Sequence, residues 1–201
     1  MPSRLLAALW LALFLLVRVP AAAQESLAIG AAVPEVGPIL PDAVTGAAVD
    51  FRESISDDGT VVVFWGNQCV WSDRYEERLK QALRQARIAG IEVLLVNSND
   101  PRAFPKEGIE DSRPIARRLG VDHYLADVDG SVARALGARR IPHAFVFDGS
   151  RRLVYSGAID DSPGDASLVQ NTYLLDALEA LASGTAPDPA VTPPFGCRIK
   201  L

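Results

Sequence analysis

The sequence predicts one α/β domain built on a mixed central sheet flanked by helices. Three observations carry this expectation. Two β-branched, apolar runs, at 60–65 and 91–96, enclose a long segment of helical periodicity. Two further apolar runs, at 144–148 and 153–157, are separated by the turn pair Gly149-Ser150. An amphipathic stretch at 171–182 follows them. Strands joined by a helical crossover pair in parallel, whereas strands joined by a tight turn pair antiparallel.

Each element has its own signal. Residues 24–48 are rich in Gly, Pro and Ala and read as an irregular lead-in with a short hairpin. Asp57-Asp58-Gly59 is a turn, and the unbroken run from Thr60 to Trp65 reads as a strand buried on both faces. From Trp71 to Ala89, Tyr75, Leu79, Ala82, Leu83 and Ala86 recur at helical spacing until Gly90 stops them. Residues 91–96 form a second buried strand, and Asp100-Pro101 and Phe104-Pro105 mark a loop after it. Helices are expected at 110–119, ended by Gly120, and at 131–136, after Asp129-Gly130. Leu174, Leu175, Leu178 and Leu181 form the stripe of the last helix, beyond which residues 183–194 are Pro-rich. The order is strand, helix, strand, inserted helices, hairpin, helix. That is a thioredoxin-like topology with a helical insertion before the β-hairpin.

At the N-terminus, Arg4 precedes an apolar run at 5–17, and Ala21-Ala22-Ala23 offers a small-residue cleavage site before Gln24. This is the layout of a secretory signal peptide, too short for a spanning helix of about 20 residues. An uncleaved anchor is the alternative. The expected organisation is a signal at 1–23, a domain at 24–182 and a tail at 183–201. Such a product is exported across the inner membrane, to the periplasm, and keeps no stable membrane association after cleavage. The net charge is −5, and loss of Arg4 and Arg18 makes it more negative. No basic cluster appears beyond short pairs such as Arg117-Arg118 and Arg139-Arg140, so nucleic acid is not an expected partner.

The chain has two cysteines, Cys69 and Cys197, and two histidines, His123 and His143. Cys69 stands between the first strand and the long helix. There the unpaired N–H groups and the helix dipole favour a thiolate, the nucleophile of thiol–disulfide exchange. An inert buried thiol is the bland alternative. The wide separation of the two cysteines excludes a CxxC motif and a compact zinc knuckle, and no metal or cofactor is expected. Cys197 lies in an alternating apolar tail, Phe195-Gly196-Cys197-Arg198-Ile199-Lys200-Leu201, which suggests docking as an edge strand. The chain from Ala182 to Cys197 spans up to about 50 Å when extended. The domain's radius of gyration is about 15 Å, so reach permits contact with Cys69. Cys197 is expected to pair with Cys69 and resolve its mixed disulfides. A structural or unpaired thiol near the chain end is the other reading.

Phe64-Trp65-Gly66-Asn67-Gln68-Cys69-Val70-Trp71-Ser72 resembles the active-site stretch of thioredoxin-type proteins, F-W-x-x-x-C-x-x-C. It departs at Gln68, where a Trp usually stands, and at Ser72, where the second Cys would be. Further pieces extend the resemblance over residues 28–201 to a bacterial branch of exported redoxin-domain proteins, of the AhpC/TSA-like and TlpA-like kind. They are Asn97-Ser98-Asn99-Asp100-Pro101, residues 133–138, residues 141–148, residues 153–161 and the ending Gly196-Cys197-Arg198-Ile199-Lys200. The resemblance implies a thioredoxin fold and thiol redox chemistry. It also implies a cis proline at Pro142, preceded by Ile141, facing the reactive Cys69 and pairing with a substrate strand. The dedicated peroxidase motif PxxxTxxC is absent, because its Pro and Thr positions hold Val62 and Gly66.

The sequence therefore points to an exported thiol–disulfide oxidoreductase acting on protein or small-molecule thiols and disulfides with an outside reductant. Cys69 attacks, and Cys197 or an external thiol resolves. Ser72 can donate a hydrogen bond to the thiolate or satisfy the first helical turn. Ile141 and Pro142 position the substrate, and Trp65, Gln68 and Trp71 are candidates for lining its groove. Rival readings are a binding module with a permanent disulfide, or a thiol peroxidase.

Overall fold

The structure, a computed structural model, describes residues 26–35 and 39–201. The expected signal at 1–23 lies outside the described residues. The chain opens with an antiparallel hairpin of β1 (Leu40–Pro41) and β2 (Ala48–Val49). Strand β3 (Thr60–Phe64) leads into helix α1 (Val70–Ile88) and returns as β4 (Glu92–Asn97). A 3-10 turn at Pro105–Glu107 precedes α2 (Ile109–Leu119), β5 (His123–Ala126) and α3 (Ser131–Leu136). Then come β6 (Arg140–Ile141), β7 (His143–Phe147), β8 (Leu153–Gly157), α4 (Tyr173–Ala182) and β9 (Cys197–Arg198).

The central sheet runs β5-β4-β3-β7-β8. Strands β5, β4 and β3 are parallel, and β7 and β8 join antiparallel. The architecture is the expected thioredoxin-like mixed sheet with helices on both faces. Its strands read as unbroken apolar runs because both faces are covered. Val61, Val63 and Trp65 point to one core with Leu79, Leu83 and Leu178 of α1 and α4. Val62 and Phe64 point to the other, with Phe145, Val132 and Leu136. This alternation is the period-2 geometry of a strand.

The insertion before the hairpin is not purely helical, as the sequence had suggested. Between α2 and α3 it contains β5, which extends the sheet beside β4. His-Tyr-Leu-Ala carries no alternation and no β-branched residue, so the pattern gave no strand signal. What fixes it is tertiary. The Tyr124 N–H donates to Asp42 Oδ1 at 3.0 Å, and His123 Nδ1 lies 2.8 Å from Asp42 Oδ2, tying the edge to the opening hairpin.

His143 starts β7 directly after the cis Ile141–Pro142 bond and is buried. Its Nε2 lies 3.1 Å from Ser156 Oγ, while Nδ1 has no hydrogen-bond partner among the described residues. Burial lowers its pKa to about 3, against about 6.5 in an unfolded chain. Between those values the unfolded state takes up a proton that the folded state refuses. The stability tied to neutral His143 is thus full above about pH 6.5 and is lost as pH falls toward 3, at up to about 1.4 kcal/mol per pH unit. Urea unfolding at pH 7 and pH 5 should show the wild type losing more stability than His143→Gln. Equal losses would contradict a neutral buried imidazole.

Candidate active site

The chain leaves β3 at Phe64 and reaches α1 through residues 65–69 at the carboxyl end of the parallel strands. Cys69 is the N-cap of α1, with φ −91° and ψ 116°. Its carbonyl accepts from the Asp73 N–H at 3.3 Å. The side chain does not cap the helix, because its sulfur is bonded to Cys197 across a sequence separation of 128. The Cα atoms are 6.1 Å apart, within the usual disulfide range. Cys69 is buried and Cys197 is partly exposed. Cys69 Sγ also lies 3.4 Å from the Ile141 carbonyl oxygen. A disulfide sulfur carries no proton, so this is a packing contact.

A buried carboxylate holds the loop before Cys69. Glu107, in the 3-10 turn after β4, accepts from the Asn67 N–H at 2.8 Å and the Gln68 N–H at 3.2 Å. It also accepts from Asn97 Nδ2 at 3.0 Å. Asn67 Nδ2 donates to the Lys106 carbonyl and to Ser112 Oγ, at 3.0 and 2.9 Å. The Tyr124 hydroxyl lies 3.0 Å from the Trp65 carbonyl and 2.9 Å from Asn67 Oδ1. Burial, reinforced by the Glu107 charge, pushes the Tyr124 phenol well up, so it remains a donor. These bonds tie the loop to the 3-10 turn, to α2 and to β5, which rigidifies it. None of Glu107, Asn67, Asn97 or Tyr124 was a site candidate from sequence. Their traces in the sequence were Asn67 inside the stretch from Phe64 to Ser72 and the run beginning at Asn97.

The tail crosses this site as a docked strand. Thr192 N–H donates to the Ser156 carbonyl, and Ser156 N–H to the Ala190 carbonyl, each at 3.0 Å. Farther on, β9 pairs antiparallel with β6, setting Cys197 opposite Ile141 and Arg198 opposite Arg140. The end is pinned by Lys200 N–H to Asn99 Oδ1 at 2.8 Å and Asp100 N–H to the Lys200 carbonyl at 2.7 Å. The Asn97–Asp100 stretch thus seats the chain end.

The candidates from sequence separate here. Cys69, Cys197, Ile141 and Pro142 come together, with the Ile141–Pro142 bond cis. Trp71 lies on the rim, 4.8 Å edge-to-face from Phe195. Gln68 is exposed on the loop. Trp65, a groove candidate, instead sits in the core under α1, because its position continues the inward-facing phase of β3. Ser72 is buried and accepts a hydrogen bond from the Gly66 N–H at 3.5 Å.

The Glu107 clamp has a measurable consequence. In Glu107→Gln the side chain keeps one acceptor oxygen and turns an NH₂ group toward N–H donors. Leaving a buried donor unpaired costs about 1–3 kcal/mol. Urea unfolding of the oxidised protein should show a loss of that size, and an unchanged midpoint would rule the clamp out as a stabilising element.

No curated protein matches the sequence. A conserved protein from Geobacillus kaustophilus is similar in structure, with a TM-score of 0.78 and 29% identity, covering 87% of this chain and 92% of that one. A hypothetical protein from Sinorhizobium meliloti 1021 has a TM-score of 0.77 and 32% identity, covering 88% and 96%. The thioredoxin domain of a thiol-disulfide oxidoreductase from Bacteroides vulgatus shares the fold, with a TM-score of 0.52 and 18% identity over 65% of this chain and 89% of that one. The AhpC/TSA family model matches residues 29–156, from the lead-in to the penultimate residue of β8. With well over half its length inside that match, the chain belongs to the AhpC/TSA family.

Proposed function

We propose that the protein is an exported thiol–disulfide oxidoreductase in which Cys69 is the nucleophile and Cys197 the resolving thiol. The observation that carries this reading is the disulfide between a helix N-cap cysteine and a cysteine on a separately docked tail. In the reduced state, the Cys69 thiolate attacks one sulfur of a partner disulfide. A Cys69–partner bond forms, the partner's S–S bond breaks, and its other sulfur leaves as a thiolate that takes a proton from solvent. Cys197 then attacks Cys69 Sγ, forms the intramolecular disulfide and releases the second partner thiol. The partner disulfide gains two electrons and the Cys69/Cys197 pair loses them. An outside thiol restores the reduced pair. The helix N-terminus favours the Cys69 thiolate both as attacking group and as leaving group. Export is part of the proposal and rests on the apolar run at 5–17 and the three alanines after it.

A peroxidase reading is not favoured by the site. At Gly66, where a peroxidase motif places Thr, an added Cβ would lie 3.0 Å from Asn99 Nδ2 and 3.3 Å from Ile141 Cδ1.

The test is trapping. Full-length Cys197→Ser, produced with its own leader in a bacterial host, should accumulate mixed disulfides on Cys69 in the exported fraction, on a chain beginning near Gln24. Cys69→Ser should accumulate none at residue 69 and lose exchange activity by orders of magnitude. Absence of Cys69 adducts in the first variant would overturn the reading.

A further inference from the structure

The edge beside the reactive cysteine already holds an extended strand, and its neighbours constrain three residues of it. The β6–β9 pairing is supplemented by the Ile199 N–H donating to the Arg139 carbonyl and Arg140 Nη1 donating to the Gly196 carbonyl, each at 3.2 Å. Main-chain bonds of this kind bind a strand without regard to its side chains. Selection comes from three positions. At 196 an added Cβ would fall 1.8 Å from the Ile141 carbonyl oxygen and 2.6 Å from its carbon, and φ is +154°. Backbone lies on both sides of that clash, so only glycine fits before the cysteine. At 195 the Phe ring sits edge-to-face on Trp71, half exposed. At 199 the Ile side chain packs against the second core. Arg198, between Cys197 and Ile199, is exposed.

We propose that the tail, seated on this edge, is an internal copy of the substrate strand. The substrate class is an extended polypeptide segment whose disulfide cysteine follows a glycine. An aromatic residue stands two before that cysteine and an aliphatic residue two after it. This rests on the exchange reading above. The edge holds one strand at a time, so the tail leaves when a partner segment enters. Its sulfur is then attacked by Cys69 as described, with the partner's own disulfide breaking and its second sulfur departing as a thiolate. The returning tail displaces the segment and closes Cys69–Cys197, so resolution and product ejection are one event.

The experiment uses full-length Cys197→Ser with Cys69 reduced, and the pre-reduced wild type in parallel in case the variant folds poorly. The probes are the peptide Phe-Gly-Cys-Arg-Ile, its Phe-Ala-Cys-Arg-Ile and Ala-Gly-Cys-Arg-Ile analogues, each with the cysteine in a disulfide to 2-mercaptoethanol, and glutathione disulfide as a control without the motif. Thiol release and adduct mass are followed in time. Alanine before the cysteine should slow exchange about tenfold or more, the cost of forcing a methyl group into occupied space. Alanine for the aromatic residue should slow it about threefold to tenfold. In Trp71→Ala the second difference should vanish while the first persists. Equal rates for all three peptides, with Cys69 still reacting with glutathione disulfide, would overturn the substrate template and leave the exchange chemistry standing. No reaction of Cys69 with any disulfide in either protein would overturn both.

Discussion

The site depends on one short antiparallel pairing, Ile141 with Cys197, made at the strand edge just ahead of the cis Ile141–Pro142 bond. That pairing fixes the height of the tail over helix α1 and sets the Cα atoms of Cys69 and Cys197 at 6.1 Å. Everything along the tail serves it. Thr192 anchors the upstream side, its Oγ1 accepting from the Ala158 N–H at 2.9 Å and lying 2.7 Å from the Tyr155 hydroxyl. Asn99 and Asp100 anchor the downstream side. Gly196 lets the backbone approach the Ile141 carbonyl more closely than any side chain would allow. Closing so long a loop by a disulfide is worth about 4–5 kcal/mol in the chain-entropy model. The non-covalent contacts decide whether the tail finds its place again once that bond opens.

The other half of the site is the loop that delivers Cys69. Its amides at 67 and 68 are held by Glu107, whose negative charge is itself buried. This arrangement uses the N–H groups of Asn67 and Gln68, and in the exchange we propose the N–H groups of the first helical turn are the ones that favour the thiolate. Asn97 reaches the same carboxylate from the end of β4, so the loop is registered to the central parallel strands. The tail and the Glu107-held loop therefore come from different parts of the chain and are joined covalently at the two sulfurs.

Much of this was legible in the sequence, for physical reasons. Continuous apolar runs at β3 and β4, a long stripe from Tyr75 to Ala86 and a Gly-Ser hairpin are local signals, and they placed β3, β4, β7, β8 and α1 to within a residue or two. Cys69 stood out because strand-to-helix junctions place a side chain at unpaired N–H groups. The alternation from Phe195 to Leu201 signalled a docked tail, though not its partner strand. Strand β5 and the Glu107 clamp were not legible. Each owes its place to groups more than 25 residues away, Asp42 in one case and Asn67 and Gln68 in the other. Trp65 misled because the same motif holds the exposed Gln68 and the half-buried Trp71, while its own position just after β3 continues that strand's inward-facing phase and sends it into the core.

The most direct measurement is the redox equilibrium of the Cys69–Cys197 pair. The protein is incubated in thiol–disulfide buffers of graded potential, quenched with acid, alkylated and counted by mass. An exchanging pair, opened and closed in turnover, should show a midpoint above about −250 mV. A midpoint below about −300 mV would mark a permanent staple and contradict an exchange enzyme.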